Sequence, residues 1–153
     1  MKKRNFILAV LFVIAILACA FFMQDGGTTP NITEKPDVIK QEGMWKSASY
    51  LEDTELGKGE KTLYVEVSAE GQAIEFTIHT DKKTVGEALS EHKLIDGEKG
   101  PYGLYVKKVN SMEADYDKTK TYWAFNKNGE SVMTGVDLTE FEDKDHFELV
   151  CTE

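Results

Sequence analysis

"TLYVEVSAEGQAIEFTIHT", Thr62 to Thr80, carries two runs of apolar-polar alternation on either side of a glycine. In the first run Leu63, Val65 and Val67 share one face, and Tyr64, Glu66 and Ser68 share the other. In the second, Ile74, Phe76 and Ile78 oppose Glu75, Thr77 and His79. A repeat of two is the repeat of a half-buried strand, so the stretch predicts a hairpin turning at Gly71 with one face in a core.

Downstream, the period changes. In "DKKTVGEALSEHKLIDG", Thr84 stands three residues before Glu87, the spacing of a capping box. Val85, Ala88 and Leu89 fall on one helical face, and Leu94 follows the helix end. A helix this short has no stability of its own and must lie across the sheet. Alternation returns in "GPYGLYVKKVNSM", with Leu104, Val106 and Val109 inward and Tyr105 and Lys107 outward. "EADYDKTK" reads as a charged connection. "TYWAFN" is the next strand, with Trp123 and Phe125 inward and Tyr122 and Ala124 outward. Asn128-Gly129 supplies the positive φ angles of a tight hairpin, and "ESVMTGV" reads as the returning strand. "DKDHFELVCT" closes the chain with Phe147, Leu149 and Cys151 inward. The predicted fold is α+β: a small, mostly antiparallel β-sheet with one short helix packed on it, β-grasp-like in arrangement.

Upstream, "QDGGTTPNITEKPDVIKQEGMWK", Gln24 to Lys46, is rich in Gly, Pro, Thr and charge and has no period. It reads as a flexible tether. Trp45 is an odd residue for a tether, and either packs back on the domain or faces a partner. Before the tether, Phe6 to Met23 forms 18 residues without a charged or polar interruption, after the basic start Lys2, Lys3 and Arg4. As a helix this run spans roughly 27 Å, close to the hydrocarbon thickness of about 30 Å. The basic flank predicts a cytoplasmic N-terminus and an exported remainder. Three readings fit the run: an uncleaved anchor helix, a lipoprotein signal in which Cys19 of "ILAC" is lipidated, and a signal peptidase site at "ACA". The domain division is thus 1–23 anchor or signal, 24–46 tether and 47–153 folded domain. The expected location is the cell membrane, with the domain on the extracellular side and the membrane as partner of the N-terminal segment.

The net charge of −9 becomes more negative once the basic start is set aside. A surface this acidic repels phosphate backbones, which excludes nucleic acid as a partner class. Only Cys19 and Cys151 are present, without zinc or redox spacing. Cys151 is in phase with the inward residues of the last strand and reads as a small buried hydrophobe. His79, His92 and His146 stand on separate elements, and no pair has metal-ligand spacing. Asp115 with Asp117 and Asp143 with Asp145 are clustered carboxylates that lack a calcium-loop pattern. No nucleophile elbow or phosphate cradle occurs, so the expectation is a protein that is not an enzyme and calls for no cofactor or metal.

"TVGEALSEHKLI", "YGLYVKKVN", "ADYD", "YWAFNKNGESVMTGVD" and "DKDHFELV" follow one another in the order and spacing of a known family. Over Thr62 to Thr152 the chain resembles the bacterial DUF4430 domain family, which is similar to the C-terminal domain of transcobalamin and intrinsic factor. It departs from the family pattern at "VNSM", where an Asn-Gly turn is common, and at "DKD", where Asp-Gly-Asp is common. In the vitamin B12 carriers the similar domain covers one face of the corrinoid, and a separate helical domain, without counterpart here, covers the other. The resemblance implies a membrane-anchored, extracytoplasmic binding module for a corrinoid-like or other planar small ligand. Tyr102, Tyr105, Tyr122, Trp123, Asn126 and Asn128 would be its ligand-binding residues. The alternative is a cell-envelope module that binds a cell-surface protein or serves as structure.

Overall fold

The computed structural model describes residues 39–153. The run Phe6–Met23, Cys19 and the tether as far as residue 38 lie outside the described residues. The first described element is a single 3₁₀ turn, Gly43–Ser47. Nine strands follow: β1 Thr54–Gly57, β2 Lys61–Ala69, β3 Gln72–Thr80, β4 Ile95–Gly100, β5 Gly103–Val109, β6 Met112–Glu113, β7 Tyr122–Lys127, β8 Glu130–Ser131 and β9 Asp145–Thr152. Two short helices interrupt them, α1 Val85–Glu91 and α2 Tyr116–Thr119.

The strands form two sheets, where the sequence predicts one. The larger is mixed and runs β1-β3-β2-β9-β7-β8; the smaller is β4-β5-β6. β2 pairs antiparallel with β3 and parallel with β9, and β7 pairs antiparallel with β9. The reason for the second sheet is occupancy. β2 has partners on both sides, and β1 takes the outer side of β3 in parallel register, Thr54 opposite Phe76. The β4–β5 hairpin therefore finds no free partner in the centre and pairs with itself and β6. β1 escapes the sequence reading because "TELG" is only four residues long and runs into Gly57, at φ +80°.

Most of the predicted inward residues are buried, whereas Leu104, Phe125 and Cys151 are half-buried at the edge of the core. Leu63, Val65, Val67, Ile74, Phe76, Ile78, Phe147 and Leu149 are fully or nearly fully buried. Val85, Ala88 and Leu89 of α1, with Leu94 after it, join the same core. The capping box forms as predicted: the Glu87 N–H donates to Thr84 Oγ1 at 3.2 Å, and Glu87 Oε2 accepts from the Thr84 N–H at 3.3 Å. The charged connection contains a helix of one turn, α2, whose N-cap Asp115 accepts from the Asp117 N–H at 3.0 Å.

From Ile39 onward the segment assigned by composition to a tether is packed on the sheet. Ile39 is buried, and Trp45 is wholly inaccessible with its indole N–H donating to Ala69 O at 2.9 Å. A paired N–H lets a tryptophan bury its full area without an orphan donor. The turn at Asn128-Gly129 has both residues at positive φ, as a two-residue hairpin requires. The returning strand is the exception, since β8 ends at Ser131 after two residues. The two departures from the family pattern place side chains where glycine is the comfortable residue. Ser111 and Lys144 both lie at φ +67°.

Trp45→Ala is expected to destabilise the protein by about 3–5 kcal/mol, the range for emptying a large core site, whereas a tether residue would cost nothing measurable; urea unfolding distinguishes the two. Lys144→Gly is expected to raise stability by about 0.5–1 kcal/mol by relieving the left-handed backbone. A lower urea midpoint for that variant would contradict the strain argument.

Candidate functional site

β7 has β9 along one side for its whole length, and β8 on the other side only at Asn126 and Lys127. A last rung, Val132 N–H to Phe125 O at 2.9 Å, ends that pairing. Beyond it the chain leaves the sheet, so Tyr122 to Ala124 form an open edge. β5 is in the same position. β4 flanks it on one side, while β6 reaches only Lys108 and Val109 on the other. The two free edges and the segment Ser131–Val136 enclose an open cleft of about 510 Å³.

The segment after β8 is held by specific contacts. Asp137 Oδ1 accepts from the Leu104 N–H at 2.6 Å, and the Gly135 N–H donates to Tyr102 O at 2.9 Å. The start of α1 ties down its far end. The Gly86 N–H donates to Val136 O at 2.8 Å and the Val85 N–H to Thr139 O at 2.9 Å. Gly86 is required there, because a Cβ would stand 2.7 Å from the Asp137 backbone. Thus the helix cap, the loop and the β5 turn set one wall together.

Trp123, Val106 and Val136 are buried and form the base. Tyr102 and Met133, at 80% and 88% exposure, stand at the rim, with Tyr105 and Tyr122 between. Tyr116 extends the surface through an edge contact with the Tyr122 ring, centroids 6.4 Å apart. Leu138 adds to it beside Gly103. These six are all the exposed large hydrophobic side chains among the described residues. No lining residue carries a charged side chain.

Tyr102, Tyr105, Tyr122 and Trp123 are therefore brought together. Tyr122 and Trp123 point to opposite faces of β7, yet both line the cleft, because an edge strand shows a neighbour both faces. Asn126 and Asn128 are not part of it. Asn126 pairs with Glu148 on the outward face, and Asn128 sits in the exposed hairpin turn. Sequence reasoning missed Met133, Val132 and Pro101. The signal for the first two was available: "MTG" breaks the alternation that a returning strand would continue.

The ionisable groups have ordinary structural partners. His79 Nε2 lies 2.9 Å from Glu55 Oε1. His146 stands between Glu75 and Glu148, at 3.4 and 3.6 Å. Glu66 is directly opposite both those glutamates, a row of like charge across three strands. Among the described residues no group of three or more His, Cys, Asp or Glu is arranged to hold a metal ion. Burial pushes the Cys151 thiol up; a hydrogen bond with Thr121 opposes this and the Glu70 charge adds to it. A thiol held protonated is a poor nucleophile. At the start of β9, burial favours the neutral form of Asp145. The Glu142 N–H at 2.9 Å and Lys127 Nζ at 2.7 Å outweigh it and hold the carboxyl below its usual range.

A family model described as a domain of unknown function (DUF4430) matches residues 82–149. The crystal structure of a provisionally described metal-binding protein from Ruminococcus gnavus matches at TM-score 0.58 and 39% identity, over 61% of this chain and 98% of that one. Haptocorrin in complex with Cbi matches at TM-score 0.52 and 13% identity, over 61% of this chain. The chain spans 25% of haptocorrin, and at that identity the likeness is one of fold. No curated protein matches the sequence.

A carboxyl whose folded pKa is depressed contributes stability above its unfolded pKa and loses it as pH falls through the folded value. Urea midpoints of the wild type and Asp145→Asn should therefore differ at neutral pH, and the gap should begin to narrow below about pH 4, where the unfolded carboxyl titrates, and close as pH passes through the lower folded value. A gap that persists at pH 2 would place the effect of the substitution elsewhere.

Proposed function

Because the chain belongs to the DUF4430 domain family, we propose that it is a non-catalytic binding module whose cleft takes a flat small molecule of the corrinoid type. Phe6–Met23 holds it at the cell membrane, with the folded domain on the extracellular side. The observation that carries the reading is the gathering of every exposed large apolar side chain among the described residues around one cleft. Soluble proteins scatter such residues singly, and a contiguous patch marks a binding surface. Tyrosines suit the task because they offer rigid, amphipathic area at low entropic cost. The arrangement of β2, β3, α1 and β9 is read as β-grasp-like, and the fold shared with haptocorrin supports the corrinoid class. An open cleft covers one face of such a ligand, so the affinity is modest unless a second surface closes the other face.

Titration of the full chain in lipid nanodiscs with cyanocobalamin and dicyanocobinamide tests this, by calorimetry and by the visible spectrum. The expected result is saturable binding in the micromolar range, weakened about fivefold or more by Tyr105→Ala or Tyr122→Ala, consistent with loss of an aromatic contact. No signal up to high micromolar concentration would overturn the corrinoid assignment. The protrusion of Tyr102 and Met133 supports a second reading, a cell-surface protein as partner. Crosslinking in cells that captures a single protein, with no small-molecule binding, would favour it.

A further inference from the structure

The chain has two tryptophans, and they differ in one respect. The indole N–H of Trp45 has a carbonyl partner at 2.9 Å. The indole N–H of Trp123 has none among the described residues, although the residue is only 5% exposed and the atom itself is out of reach of water. Trp123 lies at the base of the cleft. An unpaired buried donor is a net cost to the folded state. A phenylalanine at this position would be smaller but would leave no orphan group. The indole can only donate. The cleft around it offers apolar and aromatic surface and no charged lining residue, in a chain in which 29% of residues are charged.

We propose that the Trp123 N–H is the donor that selects what the cleft accepts, and that the selected class is uncharged, flat, conjugated compounds with a hydrogen-bond acceptor at their edge. This rests on the cleft being a ligand site, as argued above. A charged compound would enter without a counter-ion and lose its hydration. A hydrocarbon of the same shape would bury its area but leave the N–H unpaired. An acceptor on the ring edge pairs it and gains the difference. The donor is covered, so a ligand reaches it by displacing part of the wall.

Quinoline and naphthalene have the same shape and are both neutral at pH 7.5; only quinoline carries a ring-edge acceptor. Naphthalene-2-sulfonate adds a charge. The full chain in lipid nanodiscs, with ¹⁵N in the tryptophan indoles and ¹³C in the methionine methyls, is titrated with each. The expected result is that quinoline binds roughly tenfold tighter than naphthalene, the value of one hydrogen bond to an otherwise orphaned donor. Quinoline should also move the Trp123 indole proton downfield, leave that of Trp45 in place, and outcompete the sulfonate. In Trp123→Phe the preference for quinoline should vanish, with the Trp45 signal reporting that the core is intact. If that variant fails to fold, the wild-type comparison still decides. Movement of the Met133 methyl with equal affinities for quinoline and naphthalene, or with the Trp123 proton unmoved, overturns the donor assignment and leaves the ligand site standing. A Met133 methyl that none of the probes moves overturns the ligand site and the inference with it.

Discussion

The parallel pairing of β2 with β9 is the constraint on which the rest of the molecule depends. It joins a strand near the start of the folded region to the one at its end, with Val65 opposite Phe147 and Val67 opposite Leu149. Until β9 arrives, β2 has one neighbour, the inward row of Leu63, Val65 and Val67 is uncovered on one side, and β7 has no sheet to join. The contacts are among the most distant in sequence that the fold makes, so their loop-closure entropy is met late. Once formed, they give β2 a second partner strand from Leu63 to Ser68 and join the two apolar rows to the core that α1 also enters.

The cleft follows from the same pairing. β9 fixes β7 on one side only, and β8 is too short to cover the other. β5 is left half-edged because β6 is equally short. Two incomplete edges facing a common space would invite uncontrolled pairing in an ordinary sheet. Here aromatic side chains and the segment anchored on Asp137 and Gly86 occupy the approach. The result is a surface of low charge on a strongly acidic protein, and this contrast separates the region from everything around it.

The parts of the fold legible in the sequence were those decided by local pattern. The 62–80 hairpin, the Thr84 capping box, the Asn128-Gly129 turn and the inward residues of the last strand rest on a period of two, a spacing of three or a single backbone preference. What was not legible depends on partners far along the chain. β1 is four residues of weak pattern made into a strand by the free side of β3. The second sheet exists because the central strands are already paired. Ile39 and Trp45 sit in a stretch with the composition of a linker, and only the core they enter identifies them. For the cleft, Tyr105, Tyr122 and Trp123 were visible as aromatics on strands, and Tyr102 as an aromatic in the turn before β5. Asn126 stands on the outward face of β7 and Asn128 in the turn, and Met133 had only the broken alternation of "MTG" to mark it.

Hydrogen exchange of the backbone amides in the intact protein, followed by mass spectrometry, tests the central pairing most directly. Peptides covering Leu63–Ser68 and Phe147–Val150 should exchange together as the slowest in the folded domain, because each opens only when the sheet opens as a whole. A β9 peptide that exchanges as fast as the segment after Ser131 would contradict the account, since it would mean that the last strand is an appendage and not the centre of the sheet.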